Sequence, residues 1–131
     1  MMKKFELKGS QKEPKLVLDL RNGSIKILGR STMVNPHDFY SSVLKLVDDY
    51  CKQPLKKSFL MIDLEYYNTL TVKYLLRITE LMSKINLKEG YEIKMNWYFE
   101  AEDIGIAEDI KLISEIIQFK INAIEHEYEF A

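Results

Sequence analysis

The chain has 131 residues, of which 47% are apolar and 30% charged, with only 5 Gly and 3 Pro. That length closes a single core, so one domain over 1–131 is expected, with 1–14 a loose edge segment, and the composition excludes disordered or low-complexity sequence. A net charge of −1 from 19 basic and 20 acidic side chains argues against nucleic-acid or membrane binding; no apolar run approaches the ~18 residues that cross a bilayer, and the lone Cys51 forms no internal disulfide, so a cytoplasmic setting is expected.

Phe5 to Leu7 adds at most a short edge strand. Leu16 to Leu20 and Ser24 to Leu28 are alternating runs around Asn22-Gly23, whose tolerance of positive φ predicts a two-residue hairpin turn. Asn35 as cap and Pro36 as first helical residue open a helix whose apolar positions, from Phe39 and Tyr40 to Tyr50 and Cys51, recur every three or four residues before Pro54. Phe59 to Leu64 is a short, nearly continuous apolar run. It predicts a central strand covered on both faces.

Thr71, Tyr74, Leu75, Ile78, Leu81, Met82 and Ile85 form one helical stripe, with Asn68 or Thr69 placed to cap it. Tyr91 to Phe99 alternates as a strand. Ile106, Ile110, Ile113 and Ile117 mark a third helix, and Phe119 to Ile124 is a weakly patterned last strand. Strands alternating with helices predict an α/β fold: a mixed sheet of four to five strands flanked by three helices.

Charge is segregated along the chain. Residues 1–30 carry 8 basic and 3 acidic side chains, a net of +5, and residues 100–131 carry 2 and 9, a net of −7. Either the two ends lie together and offset each other, or a basic and an acidic face orient a protein partner.

Signals for catalysis are few. Glycine-rich nucleotide motifs are absent, and one Cys with two distant histidines, His37 and His126, gives no metal-ligand spacing. Cys51 reads as a small buried hydrophobe, since on a shared helix His37 would lie about 21 Å away. Asp63, Glu65, Glu100, Glu102 and Asp103 fall near the ends of two strands, where open α/β sheets place sites. A small carboxylate enzyme or a cation site is therefore one reading, and solvated loop charge the plainer one. A constitutive oligomeric scaffold, or a homodimer, is another, given the many aromatic side chains. No cofactor is expected.

The segment Glu65-Tyr66-Tyr67-Asn68-Thr69-Leu70-Thr71-Val72-Lys73 joins a strand to the second helix. Its threonines read either as helix caps or as phosphorylation sites. A phosphate would place about −1.5 to −2 charge at the positive end of a helix dipole, leaving the fold intact while altering the surface a partner meets.

This segment resembles the Glu-Tyr-Phe-Asn-Thr-Ser-Ser-x-Lys signature of the SiaC family of bacterial regulatory phosphoproteins. Gly29-Arg30-Ser31-Thr32-Met33-Val34-Asn35 resembles that family's Gly-Arg-Ser-x-Pro-Glu-Asn, with Phe39-Tyr40 following, and Trp97-Tyr98-Phe99-Glu100 resembles its Trp-Tyr-Tyr-Glu strand. The resemblance covers about Lys15 to Phe119. Met33, Val34 and Leu70 depart from it. It implies a STAS-like fold, no enzymatic activity, and a cognate serine/threonine kinase and phosphatase. It also implies an effector such as a diguanylate cyclase, activated by the unphosphorylated form. Under it the phosphoacceptor falls on Thr69, with Thr71 as runner-up; partner contact is then expected on the exposed side of the second helix, at Asn68, Thr69, Leu70, Lys73 and Arg77.

Overall fold

A computed structural model describes residues 4–126. Strands β1 (Lys4–Leu7) and β2 (Lys15–Asp19) lead into β3 (Ser24–Ser31). Strands and helices then alternate. Helix α1 (His37–Lys52) precedes β4 (Lys57–Tyr67), and α2 (Thr69–Ser83) runs on into a 3-10 turn before β5 (Glu92–Phe99). Helix α3 (Ile104–Ile117) and β6 (Asn122–Glu125) complete the order. The six strands lie side by side in chain order. β1, β2 and β3 pair antiparallel, and β3 to β6 pair parallel. The expected four to five strands are thus corrected to six. Each edge strand is only four residues long, too short for its alternation to stand out.

Successive parallel strands advance in one direction across the sheet, and right-handed crossovers then put all three helices on one face. Burial agrees: Leu60, Ile62 and Leu64 of β4 are buried, while Phe59, Met61 and Asp63 between them are only partly so. The strand expected to be covered on both faces is covered on one. Apolar residues on its open face filled the gaps that would have shown the alternation.

The core lies between sheet and helices. Trp97 and Tyr40 are wholly buried there with Ile25, Leu60, Leu75 and Ile78. Each such side chain contributes roughly 1.5–3 kcal/mol over its exposed state.

Three local expectations shift. The β2–β3 hairpin closes with four residues, since Asp19 pairs with Ser24. Only Gly23 takes positive φ (71°), while the Asn22 side chain accepts from the Ser24 N–H at 3.1 Å. Helix α1 starts one residue late, with Pro36 at the cap position and no side-chain cap. The sheet order also separates the charged ends. The basic segment forms β1 to β3 and the acidic one α3 and β6. β3 and β6 are three strand spacings apart, about 14 Å, and the two edges about 24 Å, so the two ends are not neighbours in the sheet.

Candidate functional site

The β4–α2 junction owes its geometry to a β-bulge. Gly29 of β3 pairs with Leu64, but the next residue, Arg30, pairs with Tyr66, leaving Glu65 as the extra residue. An extra residue reverses which side chains face the core beyond it. Tyr67 therefore turns inward, its ring 6.3 Å from that of Trp97, and Tyr66 turns outward, 57% exposed. Gly29 accommodates the bend with φ of 104°. The Glu65 carboxylate accepts from the Arg30 guanidinium at 2.8 and 3.4 Å, and this bond holds its pKa below the ordinary range.

Asn68 follows as the residue before α2, in extended backbone (φ −88°, ψ 169°). It does not cap with its side chain. Its Nδ2 donates to the Met33 carbonyl at 3.0 Å, its backbone N–H to the Ser31 carbonyl at 3.1 Å, and its Oδ1 lies 3.0 Å from the Thr71 hydroxyl. The bond to Met33 is to backbone, so the family's Pro at this position can become Met without losing it. The side chain of Val34, the neighbouring departure, is 83% exposed.

The two threonines have opposite surroundings. Thr71 is wholly buried, as are Ser31 and Tyr40. Their hydroxyls form a chain: Tyr40 Oη to Ser31 Oγ at 2.7 Å, and Ser31 Oγ to Thr71 Oγ1 at 2.8 Å. Thr71 Oγ1 also meets the Ser31 carbonyl at 3.1 Å and Asn68 Oδ1. Both of these only accept, so the single Thr71 proton goes to one of them. Ser31 must then donate to Thr71, and Tyr40 to Ser31. Burial pushes the Tyr40 phenol up to about 12, which keeps it a donor at neutral pH. The chain joins β3, α1 and α2 beneath the junction. Thr69, by contrast, is exposed as the first residue of α2.

Of the other residues singled out, Leu70 is 47% exposed. Lys73 is exposed, with its ammonium 5.0 Å from the Tyr74 ring centroid. Arg77 is exposed two turns along α2 and pairs with Glu80. The periodicity gave no sign of three further exposed apolar residues, one each on the junction, the loop before α1 and the start of α3. Tyr66 precedes the junction; Val34 follows Met33, which Asn68 holds; and Ile104, 67% exposed, opens α3. None belongs to a core stripe, so only position in space reveals them. A cavity of about 160 Å³, lined by Tyr66 and Thr69 among others, lies between the junction and α3. There Tyr67 donates to Asp109 at 2.7 Å, and Asp103 caps α3 by accepting from the Ile106 N–H at 3.0 Å.

The strand-end carboxylates are partly brought together. Asp63, Glu65 and Glu100 line a cavity of about 470 Å³ with His126; Glu102 does not. Each of the first two has a basic partner, Arg30 for Glu65 and His126 Nε2, at 2.7 Å, for Asp63. The His126 ring stacks on Tyr98 with centroids 5.3 Å apart. Sequence spacing, 63 positions, hid that pair. Among the described residues no group of three His, Cys, Asp or Glu side chains is placed to hold a metal ion. Cys51, expected to be buried, is only partly so, packed against the core; desolvation and the nearby Asp48 raise its thiol to about 11.

Comparison with known proteins places this geometry. No curated protein matches the chain. Its fold is similar to that of apo-SiaC from Pseudomonas aeruginosa, with a TM-score of 0.81 at 20% identity over 94% of this chain and 99% of that one. A second SiaC structure from the same organism gives 0.79 at 18% identity over 97% and 100%. A chain of the crystal structure of the diguanylate cyclase SiaD in complex with its activator SiaC, also from Pseudomonas aeruginosa, gives 0.82 at 20% identity over 93% and 99%. The model of the SiaC family regulatory phosphoprotein matches residues 7–126, taking in the junction, the hydroxyl chain and the first turn of α3 alike, and the chain belongs to that family.

Proposed function

We propose that this protein is a non-enzymatic signalling module of the cytoplasm, a single STAS-like domain. Docking on an effector is switched by phosphorylation of Thr69. The observation that carries this reading is the contrast between the two threonines. Thr69 is open to a kinase at the start of α2, whereas Thr71 is wholly buried in the hydroxyl chain that fixes the junction. A phosphate on Thr69 would meet the favourable end of the helix dipole and leave that chain intact. Docking would use Thr69, Leu70, Lys73 and Arg77, extended by Tyr66, Val34 and Ile104. Asn68 contributes by holding the loop, because both ends of its amide are engaged inside. Exposed apolar side chains bordered by polar ones are the usual character of a docking patch.

The occupant favoured here is a diguanylate cyclase, on the strength of the similar chain seen with SiaD. A cognate kinase and phosphatase would set the phosphorylation state. A carboxylate enzyme is disfavoured because Asp63 and Glu65 are paired with basic groups, and Arg30 lowers the Glu65 pKa where a general acid would need it raised. Among the described residues no helix is long and apolar enough to cross a membrane.

The test is capture of the cyclase encoded by the same organism on immobilised wild type, Thr69→Ala and Thr69→Asp. Wild type and Thr69→Ala should retain it and Thr69→Asp should lose it. Equal retention by all three would overturn the reading.

A further inference from the structure

We propose that a phosphoryl group on Thr69 is read inside the molecule as well as at its surface: it repels Asp103 and Asp109 across the cavity they share with Thr69 and frees the first turn of α3 from the end of β4. The inference rests on the reading of Thr69 as the phosphoacceptor and adds the mechanism by which the site regulates docking.

Thr69 and Tyr67 line the cavity from the junction, and Asp103, Gly105 and Asp109 line it from α3. No Lys, Arg or His side chain is among the lining residues. A dianion placed here meets a helix N-terminus and, one turn along α2, the Lys73 ammonium, which attract it, and two carboxylates that repel it. The cavity is small, about 160 Å³, so charges on its walls act over distances comparable with the ~8 Å screening length of physiological salt.

Both carboxylates also hold structure together. Asp109 accepts the Tyr67 hydroxyl at 2.7 Å, the bond that ties α3 to the end of β4. Asp103 caps α3, its side chain accepting from the Ile106 N–H at 3.0 Å and its backbone carbonyl from the Ala107 N–H at 3.3 Å. Burial and these same two carboxylates push the Tyr67 phenol upward, so both act on one small volume. If either carboxylate swings away from a phosphate, α3 loses its cap or its tie. The turn that would loosen begins with exposed Ile104 and contains Gly105, whose missing side chain anchors nothing. Loosening it removes Ile104 from the docking patch, so the phosphate would act at a distance from its own surface footprint.

The test uses the full chain carrying phosphothreonine at 69, as wild type and as Asp103→Asn/Asp109→Asn. Asparagine keeps an oxygen for the Ile106 N–H and the Tyr67 hydroxyl while removing the charge. Hydrogen exchange of the α3 amides 104–109 is read by mass spectrometry. Emission of the sole tryptophan, Trp97, next to Tyr67, gives a second signal. Phosphorylation should accelerate exchange about tenfold in wild type and less than about twofold in the double variant. If the double variant melts early, Tyr67→Phe replaces it. Without its tie to Asp109, that variant should show fast exchange before phosphorylation and little further change after it. Unchanged exchange in phosphorylated wild type, or equal acceleration with and without the two charges, would overturn the inference. Effector affinity measured on the same samples separates the two ideas. Loss of affinity with unchanged exchange sinks only the internal relay, and no loss of affinity sinks the switch itself.

Discussion

Replacing Thr71 by Val keeps the shape of a wholly buried side chain and removes only its hydroxyl. Ser31 then has a buried proton without its acceptor, and Asn68 Oδ1 loses a donor. The Ser31 carbonyl keeps the Asn68 N–H. An unsatisfied buried group costs about 1–3 kcal/mol. Asn68 is only partly buried and can reach water, so the sum is about 2 kcal/mol. For 131 residues at about 2.1 cal/mol/K each, this lowers Tm by about 7 °C. Thr69→Val, at an exposed position, should stay within about 0.5 kcal/mol of wild type. Urea and thermal unfolding measure both variants, and the kinase reaction on each supplies the converse. Thr71→Val should still accept phosphate and Thr69→Val should not. A stability loss under about 0.5 kcal/mol for Thr71→Val would refute the role given to the hydroxyl chain.

Gly23→Ala should destabilise by well over about 1 kcal/mol, seen as a lower urea midpoint, because an added Cβ would lie 2.7 Å from both the Lys57 carbonyl and the Tyr50 hydroxyl at positive φ. Gln118→Gly should stabilise by about 0.5–1 kcal/mol in the same assay, since Gln118 ends α3 in the left-handed region (φ 53°) that glycine adopts without strain. Glu65 has a folded pKa below its ordinary 4.5 because of Arg30. The pair's contribution is therefore present above that pH and is lost as pH falls through the folded value. Glu65→Gln should flatten the stability profile on the acid side in a urea titration at stepped pH, lying below wild type at neutrality and meeting it once the pH is below the folded pKa.

The fold was largely readable because its long elements carry strong periods. The stripe from Thr71 to Met82 and the alternation of β5 both appear where expected. What escaped was set by tertiary structure. The edge strands β1 and β6, only weakly signalled at Phe5 to Leu7 and Phe119 to Ile124, are defined by partners more than by pattern. The covering of β4 on one face follows from crossover handedness, which no local window contains. At the site, the Asn68-Thr69 junction was readable as a helix start, but the bulge at Glu65 was not, because it is a property of the pairing with Gly29 and Arg30. That bulge decides that Tyr67 turns to Asp109 and Tyr66 to solvent. The division of labour between the two threonines, one exposed and one buried, likewise depends on Ser31 and Tyr40, which approach from other elements.

The most direct test is calorimetric titration of the purified cyclase with the full chain, once unmodified and once bearing a single phosphoryl group mapped to Thr69. The modified protein should bind on the order of 100-fold more weakly, since like-charge or desolvated contacts at a docking surface cost several kcal/mol. Affinities equal within about twofold would contradict the claim that the Thr69 hydroxyl governs docking.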